Sequence, residues 1–316
     1  MEAMEEKPLG PNGWTPDRCG PLDDKTFVIT GATSGTGLEA ARIFLRKGAR
    51  VVMLNRNAEK SAIVIDNLKK ELGESVDVTS IEMDLATLAS AGKAAEELLE
   101  RAPRIDALIC NAAIAQVPKR ELTADGFESQ FGVNHLGHFL LCGLLFERIA
   151  ASEGRIVVVG SLAYKMGAKR IRFEDIHFSR DYSPWHAYNQ SKLAQLMFAF
   201  ELQRRVQASG KNVGVFACHP GASRTNLQSS FGMRDRILWG VLKWFIAQPA
   251  ERGAWPAGMC ATEEGLAPLA LYGPTGRGEM VGPVGASQVD ECALDRESAA
   301  KLWSLSEELT RLSWGP

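Results

Sequence analysis

Lys25–Gly37 reads KTFVITGATSGTG: Thr26–Thr30, rich in β-branched and aromatic side chains, run straight into three glycines. Such a run suits a short buried strand and is too short for a helix. Leu38, Ala41 and Leu45 then recur at i, i+3 and i+7, the spacing that places three apolar side chains on one helix face. Gly31, Gly35 and Gly37, with Thr33, Ser34 and Thr36 between them, therefore mark a strand-to-helix turn. A helix N-terminus offers unpaired N–H groups and a positive dipole end, and glycine lets a phosphate approach without a Cβ in the way. The turn reads as a pyrophosphate cradle. Its GxxxGxG spacing differs from the G-x-G-x-x-G dinucleotide fingerprint but asks the same of the backbone; an ordinary Gly-rich turn is the alternative.

A chain of 316 residues, 45% hydrophobic and 23% charged, suits one α/β domain with a sizeable core. A net charge of −2, with no Lys/Arg run interleaved with aromatics, argues against nucleic acid as a partner. Cys19, Cys110, Cys142, Cys218, Cys260 and Cys292 are scattered without a CxxC and read as reduced core thiols. The opening MEAMEEKPLGPNG lacks the basic-then-apolar pattern of an export signal. Residues 1–24 read as an extended arm and 25–316 as a single domain. No run reaches the ~18 apolar residues of a membrane span, so the expectation is a soluble, cytoplasmic protein.

Strand-like runs then alternate with helix-length segments: RVVML at 50–54, VTSIEM at 78–83, IDALIC at 105–110, RIVVV at 155–159 and NVGVFAC at 212–218. This alternation predicts a doubly wound parallel sheet of about seven strands flanked by helices, with its ligand crevice at the carboxyl ends of the strands. After the second strand stand Asn55 and Arg56, where an NAD-specific fold places an acid for the ribose 2′-OH. An arginine there pairs with a 2′-phosphate and favours NADP(H), with NAD(H) as the alternative; an exposed arginine at a helix start is the plainer reading. Asp84 follows the third strand, either accepting from an adenine amino group or capping a helix that begins near Leu85. Asn111, Ala112 and Ala113 follow the fourth.

RIVVVG ends at Ser161, and 27 residues later Tyr188-Asn189-Gln190-Ser191-Lys192 opens a helical pattern. Tyr188 and Lys192, four apart, share a face. A phenol titrating near ~10 is a poor acid or base at neutral pH, and an adjacent ammonium favours its phenolate, so Lys192 should bring Tyr188 into a useful range. Tyr164, Tyr182 and Tyr272 have no lysine at i+4.

GxxxGxG at 31–37, NAA at 111–113, VNHLGHF at 133–139, Ser161, YxxxK at 188–192 and HPGxxxT at 219–225 together resemble the short-chain dehydrogenase/reductase family, from Lys25 to about Leu227. The long gap between Ser161 and Tyr188, with RFEDIHF inside it, resembles the retinol-dehydrogenase-like branch, whose neighbours include light-dependent protochlorophyllide reductases. The resemblance implies a Rossmann-type fold with Tyr188 as general acid/base and Lys192 as its tuner and a ribose ligand. Ser161 would orient the carbonyl, and Asn134 would hold a water in a relay to Lys192. It also implies a cofactor site lined by Gly31–Gly37, Asn55, Arg56, Asp84, Leu85, Asn111–Ala113, Tyr188 and Lys192, with Pro220, Gly221 and Thr225 at the nicotinamide end. Ile114 departs from the usual NNAG. The histidines, among them His135, His138 and His219, lack metal-ligand spacing such as HExxH and read as structural or crevice-lining.

Beyond Leu227 the resemblance fades. Ile237–Ala247, ILWGVLKWFIA, carries one charge, Lys243; it reads as part of a substrate lid spanning about 226–265, with a core helix, a subunit contact and a weak membrane-surface anchor as alternatives. A helix is expected at Ala250–Glu264. The Gly/Pro-rich run at 271–287 is expected to be turns with a short strand near Glu279–Val281, and a last helix to span Asp295–Leu312. The function expected is an NADP(H)-dependent oxidoreductase interconverting carbonyl and alcohol on a hydrophobic small molecule, as a monomer or homo-oligomer and without a metal. The alternatives are a light-driven tetrapyrrole C=C reductase and a catalytically silent dinucleotide sensor or scaffold.

Overall fold

The computed structural model describes residues 9–222 and 248–316. Eight strands form one sheet: β1 Thr26–Thr30, β2 Arg50–Asn55, β3 Val78–Glu82, β4 Ala107–Cys110, β5 Arg155–Val159, β6 Gly214–Cys218, β7 Leu271–Gly276 and β8 Val281–Ser287. Their order is β3-β2-β1-β4-β5-β6-β7-β8. Pairing is parallel from β3 to β7 and antiparallel between β7 and β8. The chain winds outward from β1 in both directions, so the topological switch lies between β1 and β4, where such sheets bind ligands.

Helices cover both faces. On one lie α1 Gly35–Leu45, α2 Ala58–Leu72 and α7 Ala250–Thr262, whose apolar side chains pack with Phe27, Ile29, Val51 and Met53. Ala41 and Leu45 of the predicted stripe are buried, Leu38 partly so, and Phe44 stacks on Phe27 with ring centroids 4.2 Å apart. On the other face lie α3 Leu88–Arg101, α5 Gly137–Ala151, α6 Pro184–Ser209 and α9 Arg296–Thr310, with Val28, Val52, Leu108 and Ile156 between them and the sheet. A short α4, Ser129–Phe131, and a π-helical turn, Gly132–Leu136, lead into α5; α8, Glu291–Leu294, precedes α9. Local signals fix the ends. Asn57 caps α2 by accepting from Lys60 N–H at 2.7 Å, Gly210 closes α6 in the left-handed region, and Asp295 caps α9.

The sheet has eight strands where about seven were expected, because 271–287 is a hairpin. Glu279 lies in its turn, with Arg277, Gly278 and Glu279 all at positive φ, and the second strand begins at Val281. Prolines and glycines disguised it: β8 is the edge strand, and Pro274 lies beyond the two β7 residues that pair with β6, so neither Pro274 nor Pro283 disrupts a central ladder. Within the expected lid, Ala250–Thr262 is a core helix, with Ala254, Ala257, Met259 and Cys260 buried against α1 and the sheet. Ile237–Ala247, with Trp239, Trp244 and Phe245, lies outside the described residues. Among the described residues no helix is long and apolar enough to cross a membrane.

Of the segment expected to be an arm, residues 9–24 lie against the domain. Trp14 N–H donates to Val284 O at 2.9 Å, and Arg18 forms a two-pronged pair with Glu263 at 2.6 and 3.2 Å. The Trp14 ring is fully buried on Gly258 of α7, where a Cβ would come within 2.9 Å of it. Trp14→Ala should therefore cost about 3–5 kcal/mol of stability, read as a lower urea midpoint; an unmoved midpoint would show the segment to be a loose appendage.

Candidate active site

Where β1 ends, the backbone comes unusually close to itself. Gly31 and Gly35 take φ of 70° and 59°, a region open to glycine, and a Cβ on Gly37 would stand 2.4 Å from Gly31 O and 2.5 Å from Asn111 Nδ2. Ser34 is the N-cap residue of α1, yet its side chain makes no capping bond. The first-turn N–H groups thus open onto the crevice without a side-chain cap, beside half-exposed Thr33, Ser34 and Thr36. This cradle fits a pyrophosphate: close backbone, no side chain in the way, and a positive helix end.

Several residues predicted to touch the cofactor brace the turn. Asn111 Nδ2 donates to Thr30 O (2.9 Å) and Gly31 O (3.1 Å), while its Oδ1 accepts from Thr36 Oγ1 (3.0 Å). Asn55, buried, accepts from Ala32 N–H at 2.7 Å through Oδ1 and donates to Ser61 Oγ at 3.1 Å. Asp84 Oδ1 accepts from Ala86 N–H at 2.9 Å, closing a turn ahead of α3; that helix begins at Leu88, three residues later than expected. Leu85 is buried against Gly137, and Ala112 sits against Gly31; Ala113 is half-buried. Arg56 differs: it is exposed at the end of β2 and has no carboxylate partner among the described residues.

Thr30, read in the sequence only as a strand residue, joins this turn to the π-helical turn. Its Oγ1 accepts from Asn111 N–H (3.0 Å) and Ala112 N–H (2.9 Å) and lies 2.9 Å from His138 Nε2. His138 Nδ1 lies 2.9 Å from Asn134 O, a carbonyl that can only accept, so Nδ1 carries the proton and Nε2 accepts from the Thr30 hydroxyl. Burial, with a further push from Lys192, holds His138 down at about 4, so it stays neutral. The Asn134 side chain is fully engaged. Oδ1 accepts from Ile114 N–H, and Nδ2 donates to Ile114 O and to Ser191 Oγ, each at 2.9 Å. Ile114 is thus tied through its backbone to the π-helical turn.

Ser161 starts the turn after β5, its hydroxyl accepting from Ala163 N–H at 3.2 Å, and it faces the Tyr188 phenol from across the crevice. Tyr188 and Lys192 share one face of α6 as the spacing predicted, with Lys192 Nζ 5.9 Å from the Tyr188 ring centre. Their electrostatics differ from the expectation. Burial pushes the Tyr188 phenol up from its usual value, and Ser161 only partly offsets this. Lys192 is brought down to about 7, again by burial. Desolvation penalises both charged forms and outweighs the attraction expected of an ammonium near a phenolate. Lys192 Nζ donates to Val159 O (3.2 Å) and Gln195 Oε1 (2.8 Å).

After β6, His219 is wholly buried. Its Nδ1 accepts from Gly221 N–H at 3.2 Å, so the proton resides on Nε2, 3.1 Å from Ser287 Oγ. Gly221 (φ 62°) passes so near Met280 O that a Cβ would stand 2.3 Å from it. Pro220 O accepts from Gln248 Nε2 at 2.9 Å, and Gln248 N–H donates to Ala222 O at 2.7 Å. Thr225 lies outside the described residues. His138, read in the sequence as structural or crevice-lining, stands at i+4 from Asn134; Gln195, not singled out by sequence, stands at i+3 from Lys192 on the same helix face, and that spacing is the signal that was available.

A Gly-lined helix start and a Ser161–Tyr188–Lys192 constellation on a doubly wound sheet define a dinucleotide-dependent oxidoreductase. The family model described as short chain dehydrogenase matches residues 25–173, and with the relatives that follow it shows that the chain belongs to the short-chain dehydrogenase/reductase family, as an NAD(P)-dependent enzyme acting on CH–OH groups. Within the family it is retinol-dehydrogenase-like. It is 37% identical over 309 residues to retinol dehydrogenase 14 of Homo sapiens, covering 93% of this chain and 88% of that protein. It is 36% identical over 294 residues to retinol dehydrogenase 12 of Homo sapiens, covering 93% and 88%. Among solved structures, that of an uncharacterized protein from Mycobacterium Paratuberculosis is similar with a TM-score of 0.77 at 37% identity, covering 96% of this chain and 99% of that one.

Thr30→Val keeps the shape of the side chain and removes its hydroxyl, leaving the Ala112 N–H without its acceptor and the Asn111 N–H with Ile109 O alone. A loss of about 1–3 kcal/mol is expected in denaturant unfolding, together with weaker dinucleotide binding by fluorescence titration. Unchanged values in both would show that the turn is held by other contacts.

Proposed function

We propose that this chain is an NADP(H)-dependent oxidoreductase that interconverts a carbonyl and an alcohol on a hydrophobic small molecule, with Tyr188 as the general acid/base. The observation that carries the reading is the gathering of half-buried Ser161 with buried Tyr188 and Lys192 in one crevice beside the Gly31–Gly37 turn. A bound nicotinamide dinucleotide supplies or accepts the hydride. The chain's own residues manage the proton and the charge. Tyr188 gives its phenolic proton to the oxygen of a carbonyl being reduced, or takes one from an alcohol being oxidised. Ser161 donates a hydrogen bond to the same oxygen and opposes the build-up of alkoxide charge. When charged, Lys192 favours the phenolate of Tyr188 and offers N–H groups to ribose hydroxyls.

The remaining assignments concern binding. Backbone N–H groups at Ser34–Gly37 take the pyrophosphate, and Pro220, Gly221 and Thr225 take the nicotinamide end. The exposed guanidinium of Arg56 takes a 2′-phosphate, which is the basis for preferring NADP(H). Asn55, Asn111, Asp84 and Asn134 act by shaping the crevice, because their side chains are already engaged by protein groups. Retinol, the alcohol named in the relatives, is apolar; an apolar alcohol or aldehyde of that kind is the substrate class to screen first. The presence of the whole set, gathered in one place, weighs against a silent dinucleotide-binding protein.

Two substitutions test this. Tyr188→Phe should lower kcat by at least ~10² while leaving cofactor affinity within a few-fold; an active variant would move the proton donor elsewhere. Arg56→Ala should weaken NADPH roughly ten- to a hundredfold and leave NADH almost unchanged, measured by fluorescence titration of each cofactor. A wild-type preference for NADH would refute the assignment of Arg56.

A further inference from the structure

Lys192 has an unusual set of neighbours. It is almost fully buried, and among the described residues no carboxylate pairs with it; the titratable groups around it are Tyr188 on its own helix, His138 on α5 and Cys218 at the end of β6. An ammonium carries three N–H donors. Two are taken by the protein, one by Val159 O at 3.2 Å and one by Gln195 Oε1 at 2.8 Å. Gln195 is itself buried, and its Nε2 has no hydrogen-bond partner among the described residues. A glutamine kept for packing or for a structural network would satisfy its amide hydrogens; here the oxygen alone is engaged, with Lys192. Reversing the amide would aim N–H groups at the ammonium, so this orientation is the one the pair requires.

We propose that Gln195 is a positioning residue for the reaction, its amide oxygen holding the Lys192 ammonium so that one N–H is left for the cofactor and the phenol. The inference rests on the roles assigned above to Tyr188 and Lys192. Physically, a buried ammonium without a counter-ion depends on neutral acceptors to stay charged. Val159 O is a backbone group of β5 that substitution does not remove; Gln195 is the side-chain half of the support. Loss of its oxygen makes the ammonium easier to deprotonate, which withdraws the charge favouring the Tyr188 phenolate.

The test uses Gln195→Met, which keeps length and removes the oxygen acceptor, and Gln195→Glu, which puts a negative charge beside the ammonium. The readout is the pH profile of kcat for oxidation of an apolar alcohol, where the rising limb follows formation of the phenolate. In Gln195→Met the limb should move to higher pH by about half a unit or more, and kcat at neutral pH should fall about tenfold, with KM for the alcohol within about twofold. Gln195→Glu keeps an oxygen acceptor for the ammonium, so its limb should lie below that of Gln195→Met and its neutral-pH kcat above it. A folded Gln195→Met whose limb coincides with wild type overturns the proposal, and if Gln195→Met does not fold, Gln195→Leu decides in its place. Tyr188→Phe is assayed alongside: if it stays active, the underlying reading fails, whereas an inactive Tyr188→Phe with an unmoved limb in the Gln195 variants removes only the role of Gln195.

Discussion

The narrow gap between Gly37 and the carbonyl of Gly31 is the constraint on which the rest of the site depends. No side chain fits there, since a Cβ on Gly37 would stand 2.4 Å from that oxygen, so α1 starts directly against the end of β1 and its open N-terminal turn faces the crevice. Such closeness needs support from outside the turn. Asn111 supplies it from β4, Asn55 from β2, and Thr30 passes the connection to His138 and so to the π-helical turn that carries Asn134. From Asn134 the chain of hydrogen bonds reaches Ser191 on α6, the helix that presents Tyr188 and Lys192. The Gly31–Gly37 turn and the Tyr188–Lys192 end of the crevice are therefore parts of one polar lattice rather than two separate arrangements.

The heart of that lattice is buried, and burial governs its chemistry. Lys192, Tyr188 and His138 are each displaced toward their neutral forms by burial. The neutrality of His138 has a definite use, because only a neutral ring with its proton on Nδ1 can donate to Asn134 O and accept from Thr30 at the same time. His219 holds the opposite tautomer, and there too each nitrogen has one fixed task. Lys192 stands closer to balance. With a value of about 7 it is sensitive to whatever acceptors or charges stand beside it, and proton positions on Lys192 and Tyr188 are then properties of the pair.

Much of this was readable from the chain. Alternation of buried runs with helix-length segments gave the doubly wound sheet, since full burial of a parallel strand demands an apolar run, as in Thr26–Thr30 and Arg155–Val159. The i+4 spacing of Tyr188 and Lys192 placed them on one face. What escaped was contact that sequence distance conceals. Asn55, Asp84 and Asn111 stand at or just after the ends of β2, β3 and β4, but a short amide or carboxylate bonds a nearby backbone group as readily as a ligand, and nothing local reveals which it does. The hairpin at 271–287 was masked because Gly and Pro signal turns, although an edge strand tolerates both. Ala250–Thr262 was taken for part of a cover because it follows an apolar run; its burial against α1 depends on a packing partner two hundred residues earlier.

Ala222 and Gln248 are joined by a backbone hydrogen bond of 2.7 Å, and Gln248 also reaches back to Pro220. Gln248 stands two residues ahead of α7, whose apolar side chains pack on α1 and the sheet. On the other side, Ala222 N–H donates to Met280 O at 2.9 Å, in the turn of the β7–β8 hairpin. In mechanical terms the residues that follow β6 are riveted from two directions, to the start of a core helix and to the edge of the sheet, so that this end of the crevice can shift only if the core shifts with it.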